Sequence, residues 1–165
     1  CLALKKPYLW SYKMLCDLLW EKETYKFKID LASEMSSLIQ DHFGTTKTPF
    51  DPTTIQKFFQ WIKPLDPQVL SGNKIVKRYV NCPELFLLSL DLYYKTNNLN
   101  YNDPVLINSE NIIKICKPFF ISMNQFNDLM KKSRQIWPSL RDQTAFQGAS
   151  FILGAEFSIS NIINR

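Results

Sequence analysis

Residues 51–62, which read DPTTIQKFFQWI, are the stretch on which the interpretation of the fold depends. Asp51 is a residue type that caps helix N-termini, and Pro52 suits the first helical position because its missing N–H would have no partner there. The apolar residues recur at the spacing of one helix face: Ile55, Phe58, Phe59 and Ile62. Pro64 should end the helix near Lys63. The stretch therefore predicts an amphipathic helix over 51–63.

The polar face of this helix is formed by Gln56, Lys57 and Gln60. Gln and Lys side chains can bind base edges in the major groove, although Arg, which provides the commonest specific base contact, is absent from the helix. The same pattern is typical of any helix that exposes one face to water. Both interpretations, a nucleic-acid contact and an ordinary solvated face, are open on this evidence.

Two further helices are predicted before this stretch. Apolar spacing indicates one over 7–23 and another over 30–43, with Asp30 as the N-cap of the second and Gly44 as its stop signal. Between them, YKFKI at 25–29 alternates apolar residues with lysines. This alternation predicts a short strand with a basic outer face.

The segment after the helix at 51–63 is also basic. Residues 74–80, KIVKRYV, are rich in β-branched side chains and predict a strand. The order of helix, short strand, helix, turn, helix and basic β-like segment over residues 7–80 resembles a winged helix. The helix at 51–63 would then lie in a groove of the nucleic acid. The basic residues expected at the phosphates are Lys26, Lys28, Lys74, Lys77 and Arg78.

The next segments of the chain also predict helices. Pro83 lies in the first turn of a helix capped by Asn81, and apolar residues cover almost the whole circumference of that helix. We therefore expect it to be central and buried. Ser109 is expected to cap a short helix that runs through Cys116.

A final long helix, capped by Ser122 and ending before Pro138, has a second polar face. Lys131 and Arg134 lie on that face, opposite a stripe of apolar residues, and are further candidates for contact with nucleic acid. Residues 144–165 fit either helix or strand.

These elements give a mainly α protein with minor β structure. We expect a winged-helix-like subdomain over 1–80 and a helical subdomain over 81–165 that packs on it; a single domain formed by both is the alternative. Because the chain begins with Cys1 and not with Met, we expect it to be part of a larger protein or assembly.

Charge favours a polyanionic partner. The 165 residues include 20 Lys and Arg against 15 Asp and Glu, for a net charge of +5, and the excess is larger in residues 1–80. Basic surfaces bind nucleic acids through phosphate contacts and counterion release. The candidate nucleic-acid-binding residues are Gln56, Lys57, Gln60, Lys74, Lys77, Arg78, Lys131 and Arg134.

The sequence provides few of the residues that catalysis or metal binding would need. It contains one histidine, His42, and four cysteines too widely spaced for a zinc site. The four glycines form neither of the two common nucleotide-binding loops. Glu110 and Lys114 have the spacing of an ordinary helix ion pair. We therefore expect no enzyme activity, metal or cofactor.

The expected function is nucleic-acid binding, with DNA favoured over RNA. The alternative is a non-catalytic helical module that binds another protein or the rest of its own chain, with Trp20 and Trp61 as exposed anchors. No apolar run reaches the ~20 residues of a membrane span, and no signal peptide opens the chain. An intracellular location, cytoplasmic or nuclear if the source is eukaryotic, is expected without membrane contact.

Overall fold

The structure is a computed structural model that describes residues 7–22, 24, 28–44, 50–145 and 148–163. It is mainly α-helical and contains two small antiparallel sheets. The chain divides into two compact units, Leu2–Arg78 and Tyr79–Arg165.

The first unit consists of three helices followed by a short hairpin. Its elements are α1 (Pro7–Lys22), α2 (Lys28–Phe43), α3 (Pro52–Ile62), β1 (Leu70–Ser71) and β2 (Lys74–Ile75). β1 and β2 pair antiparallel across a two-residue turn, in which Gly72 adopts φ +61°, a left-handed conformation that such turns require. Thr24, which follows α1, forms an antiparallel bridge with Lys74.

The structure confirms the helix predicted over 51–63. The side chain of Asp51 accepts a hydrogen bond from the Thr54 backbone N–H at 2.6 Å, and Lys63 is the C-cap. A second bond comes from the Thr54 hydroxyl, and the two together hold the pKa of Asp51 below its ordinary value. The four apolar residues of the helix face are all buried: Ile55, Phe58, Phe59 and Ile62.

The strand predicted over 25–29 is wrong where the structure describes it. Residues 25–27 lie outside the described part of the chain, while Lys28 and Ile29 belong to α2. Asp30, expected as the N-cap, lies instead inside the first turn of α2, where the helix dipole favours an acidic side chain. Ile29 is 63% exposed, so the alternation of apolar residues does not correspond to a buried strand face.

The second unit combines helices with a three-stranded sheet. Its elements are α4 (Pro83–Thr96), β3 (Pro104–Leu106), α5 (Ser109–Cys116), α6 (Phe126–Ile136), β4 (Leu140–Ala145), β5 (Gly148–Leu153) and α7 (Ile159–Ile163). The sheet is antiparallel throughout with strand order β3-β5-β4. The second half was expected to be helical, with residues 144–165 open between helix and strand; the structure forms strands at 140–145 and 148–153, which pair antiparallel.

Helix α4 is buried along most of its length, as its apolar circumference predicts. Its buried residues include Phe86, Leu87 and Leu90, and it packs against α5 and α6. The ring of Phe86 meets that of Phe126 edge to face, with centroids 5.5 Å apart. α4 is the central helix of its unit.

Three capping predictions in this unit are displaced. Cys82, not Asn81, is the N-cap of α4, and Asn108, not Ser109, caps α5 through a 2.8 Å bond from the Asn111 N–H to its side-chain oxygen. Ser122 precedes a 3-10 turn, Met123–Gln125, which leads into α6. At α5 two residues that can cap, Asn108 and Ser109, are adjacent, so composition alone does not select between them, whereas Cys82 and Ser122 form no side-chain cap bond.

Asp91 is a buried carboxylate on α4 that joins several elements. The sequence pattern did not identify it. It accepts hydrogen bonds from the Tyr101 hydroxyl at 2.9 Å and the Phe157 backbone N–H at 3.1 Å, and pairs with the Lys95 ammonium at 2.7 Å. Lys95 also reaches the exposed Glu156 at 2.5 Å. The network ties α4 to the segments that flank the sheet.

Cys16, Cys82 and Cys116 are reduced thiols. The first and last are buried, whereas Cys82 is exposed. His42, the single histidine, is exposed in the last turn of α2.

Candidate nucleic-acid interface

The exposed face of α3 brings three candidate residues together. Gln56, Lys57 and Gln60 are all exposed, while the opposite face of the helix is buried. Lys57 has no ion-pair partner among the residues that the structure describes. Its charge helps to lower the pKa of Asp51 without forming an ion pair with that carboxylate, and the exposed ammonium can meet a ligand.

The packing of α2 adds another cation to this face. The Lys28 ammonium, at the first residue of α2, donates to the side-chain carbonyl of Gln56. Lys28 was expected at a phosphate, but sequence spacing gave no indication that it lies beside α3. We call Lys28, Gln56, Lys57 and Gln60 the α3 polar surface.

The segment that leads into α3 is fixed by hydrogen bonds and stacking. The Ser36 hydroxyl of α2 accepts a bond from the Phe50 N–H at 3.1 Å and donates to the Ala32 carbonyl at 2.8 Å. The ring of Phe50 stacks on that of Phe58 with centroids 5.5 Å apart. α3 is thus held on α2 at its N-terminal end, which orients the polar surface.

Lys74 and Lys77, both expected at phosphates, have different surroundings. Lys74 is exposed at the start of β2, opposite Ser71 in the hairpin. Lys77 is half-buried and its ammonium lies 4.9 Å from the centroid of the Trp20 ring. This cation–π contact positions Lys77 along the surface of its own unit.

Arg78 does not fit the role expected for it. Its side chain is only 2% exposed, and its guanidinium donates to the Asp66 carbonyl oxygen at 3.2 Å. Burial raises the pKa of the Tyr12 phenol, and the positive charge of Arg78 opposes this rise, as expected for an inward-facing cation. Arg78 therefore does not belong to the candidate surface. The sequence could not show this, because side chains in a short irregular segment can point inward or outward.

In the second unit, Lys131 and Arg134 also differ from one another. Lys131 is exposed and has no ion-pair partner in the described part of the chain. Arg134 is half-buried: it contacts the Asp142 carboxylate and donates to the Met130 carbonyl at 3.2 Å. Its charge is largely neutralised within the unit, so Lys131 is the stronger candidate.

A cavity of about 310 Å³ lies between α6 and the β4–β5 hairpin. The ion pair of Arg134 with Asp142 forms part of its wall, and Asn127 and Met130 line it from α6. Oppositely charged groups that face each other leave little net charge in this cavity.

Of the two tryptophans expected as exposed anchors, the structure describes the side chain of Trp20 alone. Trp20 is buried, with 5% of its surface exposed. The side chain of Trp61 lies outside the described part of the structure.

Three further observations concern metal binding, membrane-spanning helices and similarity to known proteins. Within the described ranges, no three His, Cys, Asp or Glu side chains are close enough together to hold a metal ion. None of the helices described is both long and apolar enough to cross a membrane. The chain matches no protein-family model, no curated protein and no solved structure.

Proposed function

We propose that this chain binds nucleic acid through the α3 polar surface of a winged-helix-like first unit, as part of a larger protein or assembly. The observation that carries the proposal is that Gln56, Lys57 and Gln60 share the exposed face of α3, with the half-exposed Lys28 of α2 bonded to Gln56 beside them. The buried opposite face fixes that helix on its unit.

The connectivity of the first unit supports a winged-helix-like architecture. Helix α1 leads to the bridge residue Thr24, helices α2 and α3 follow, and the β1–β2 hairpin comes last. Thr24 pairs with the second strand of the hairpin through Lys74. In such an arrangement α3 would be the recognition helix and the hairpin the wing, with exposed Lys74 on the wing.

The chemistry of the surface favours duplex DNA. The B-DNA major groove, ~12 Å wide, admits an α-helix, whereas the deep and narrow major groove of A-form RNA does not. Gln side chains can bind adenine edges and Lys can bind guanine edges or phosphates. Gln56 and Gln60 would read bases, while Lys28, Lys57 and Lys74 would contact phosphates.

Fluorescence anisotropy tests the proposal with labelled duplex DNA and single-stranded RNA at about 50 and 200 mM salt, a range over which phosphate-driven binding weakens strongly. We expect salt-sensitive binding to the duplex. Lys57→Glu should weaken it about tenfold, because a phosphate contact is replaced by repulsion, and the slope of log K against log salt should become shallower by about 1.

A matched control separates this surface from net charge. Lys13→Glu makes the same change in net charge on α1, where Lys13 is exposed and paired with Asp17 at 2.7 Å. It should leave binding nearly unchanged. Equal loss in the two variants, or no duplex binding by the native chain at the lower salt, would contradict the proposal.

A second candidate is a helical protein-interaction module. It is favoured by three exposed isoleucines in the short helix α7: Ile159, Ile162 and Ile163. Exposed apolar groups that lie together are typical of protein interfaces. If the chain fails to bind duplex DNA, this alternative becomes the better explanation of its surface.

A further inference from the structure

The two units share one order of elements. In the first, α1 is followed by Thr24, α2, α3 and the β1–β2 hairpin. In the second, α4 is followed by β3, α5, α6 and the β4–β5 hairpin. Each unit therefore follows the order helix, strand segment, helix, helix and hairpin.

The pairing of the strands agrees as well. Thr24, after the first helix of its unit, pairs with β2, the second strand of the hairpin. β3, after the first helix of the second unit, pairs with β5, which is again the second strand of the hairpin. All of these pairings are antiparallel. This correspondence makes α6 the counterpart of α3.

α6 also resembles α3 in its surface. Asn127, Lys131 and Gln135 are exposed, as Gln56, Lys57 and Gln60 are on α3. On its other side α6 buries Phe126, Leu129 and Met130. Both helices thus expose amide side chains beside a lysine, and Asn, like Gln, can bind both the N6 and N7 positions of adenine.

The charges on α6 identify its phosphate contact. Lys132 pairs with Asp128 at 2.7 Å, and Arg134 contacts Asp142, so both of these cations are balanced within the unit. Lys131 is exposed and has no such partner among the described residues. It is therefore the cation of α6 that a phosphate would meet.

We propose that the chain contacts duplex DNA at two places, through α3 in the first unit and through α6 in the second. This inference rests on the proposed function and extends it: the second unit is a second DNA-binding module, with Asn127 at a base edge and Lys131 at a phosphate. The ligand is double-stranded DNA with adenines in the groove segments that face the two helices.

The test uses the whole chain and a labelled duplex of about 30 base pairs, long enough for more than two helical turns. Asn127→Ala with Lys131→Ala should weaken binding about tenfold or more and make the salt slope shallower by about 1. Lys57→Ala should make the salt slope shallower by a similar amount. Lys57→Ala combined with the two α6 substitutions should make it shallower by about twice that amount. Lys131→Glu, which alters one exposed side chain, should weaken binding further than Lys131→Ala.

Lys114→Ala is the control in the second unit, because the charge of that exposed lysine is balanced by Glu110 at 2.6 Å. Thermal unfolding followed by circular dichroism should show the same midpoint for the α6 variants and the native chain. Native binding that falls with Lys57→Ala but not with the α6 variants would overturn this inference and leave the proposed function standing. Absence of native binding would overturn both.

Discussion

At the scale of single residues, Asp91 is a polar side chain whose removal should strongly destabilise its unit. It is only 4% exposed and holds the Tyr101 hydroxyl, the Phe157 N–H and the Lys95 ammonium. A buried carboxylate is tolerated because such partners satisfy its charge and lone pairs. Removal of the carboxylate would therefore take the acceptor from all three partners at once.

We expect Asp91→Ala to lower the free energy of unfolding by about 3 kcal/mol, because the buried Phe157 N–H and the Tyr101 hydroxyl lose a charged acceptor. Glu156→Ala removes the other carboxylate of the same lysine, but that carboxylate is exposed, so its loss should cost less than about 1 kcal/mol. Urea denaturation of the two variants measures both values. Equal effects would show that the Asp91 network contributes little.

Arg78 illustrates what could not be predicted at this scale. The sequence places it in a basic, β-like run, which suggests an exposed cation, yet the structure buries it against the Asp66 carbonyl. Only Lys74 and Ile75 of that run form a strand, so side chains beyond them do not follow strict alternation. The direction of each side chain then depends on contacts distant in sequence.

At the scale of elements, α3 could be predicted because its apolar residues recur at helical spacing, and α4 because a largely apolar stretch of helical length begins at Pro83. The sheet of the second unit could not. β3 has three residues, too few to display a period, and β4 begins Leu-Arg-Asp-Gln, with a single apolar residue. Such strands are stabilised by their neighbours in the sheet and not by their own composition.

The burial of α4 gives a prediction for this scale. Leu90 is fully buried in the centre of the helix, whereas Leu88 is partly exposed. Leu90→Ala should lower the free energy of unfolding by about 3 kcal/mol, since it leaves a cavity, and Leu88→Ala by about 1 kcal/mol or less. Denaturation midpoints followed by circular dichroism would distinguish them, and a larger effect at Leu88 would contradict the central position of Leu90.

At the scale of the whole molecule, the correspondence between the two units is absent from the sequence, which shows no internal repeat. The corresponding elements differ in length: β1 and β2 have two residues each, while β4 and β5 have six. Topology depends on where helices and hairpins occur along the chain and does not require matching residues. The sequence therefore predicts the helices of the candidate surfaces but not the relation between those surfaces.

Buried acidic groups throughout the molecule predict a loss of stability at high pH. Burial raises the pKa of the Cys116 thiol from 9.0 to about 12. Burial and a hydrogen bond to Asp91 raise the pKa of Tyr101 from 10.0 to about 12, and burial also raises the pKa values of Tyr93 and Tyr94. The folded protein holds these protons at pH values where the unfolded chain has released them.

Because the unfolded chain binds fewer protons in this range, the free energy of unfolding must fall as pH rises. The contribution of Cys116 is fully present below pH 9 and is lost as pH approaches about 12. Its slope is about 1.4 kcal/mol per pH unit within that window. The tyrosines add to the decline mainly above about pH 10, their ordinary pKa, so Cys116 is the main contributor among these groups between pH 9 and 10.

Cys116→Ala should therefore flatten the decline in stability between pH 9 and 10 while leaving the loss above pH 10. Urea midpoints measured at half-unit steps of pH would show this. Cys82→Ala, which removes an exposed thiol, controls for the general effect of losing a cysteine. If the Cys116 variant declined as steeply as the native chain over that interval, the thiol would not be the group that couples folding to pH there.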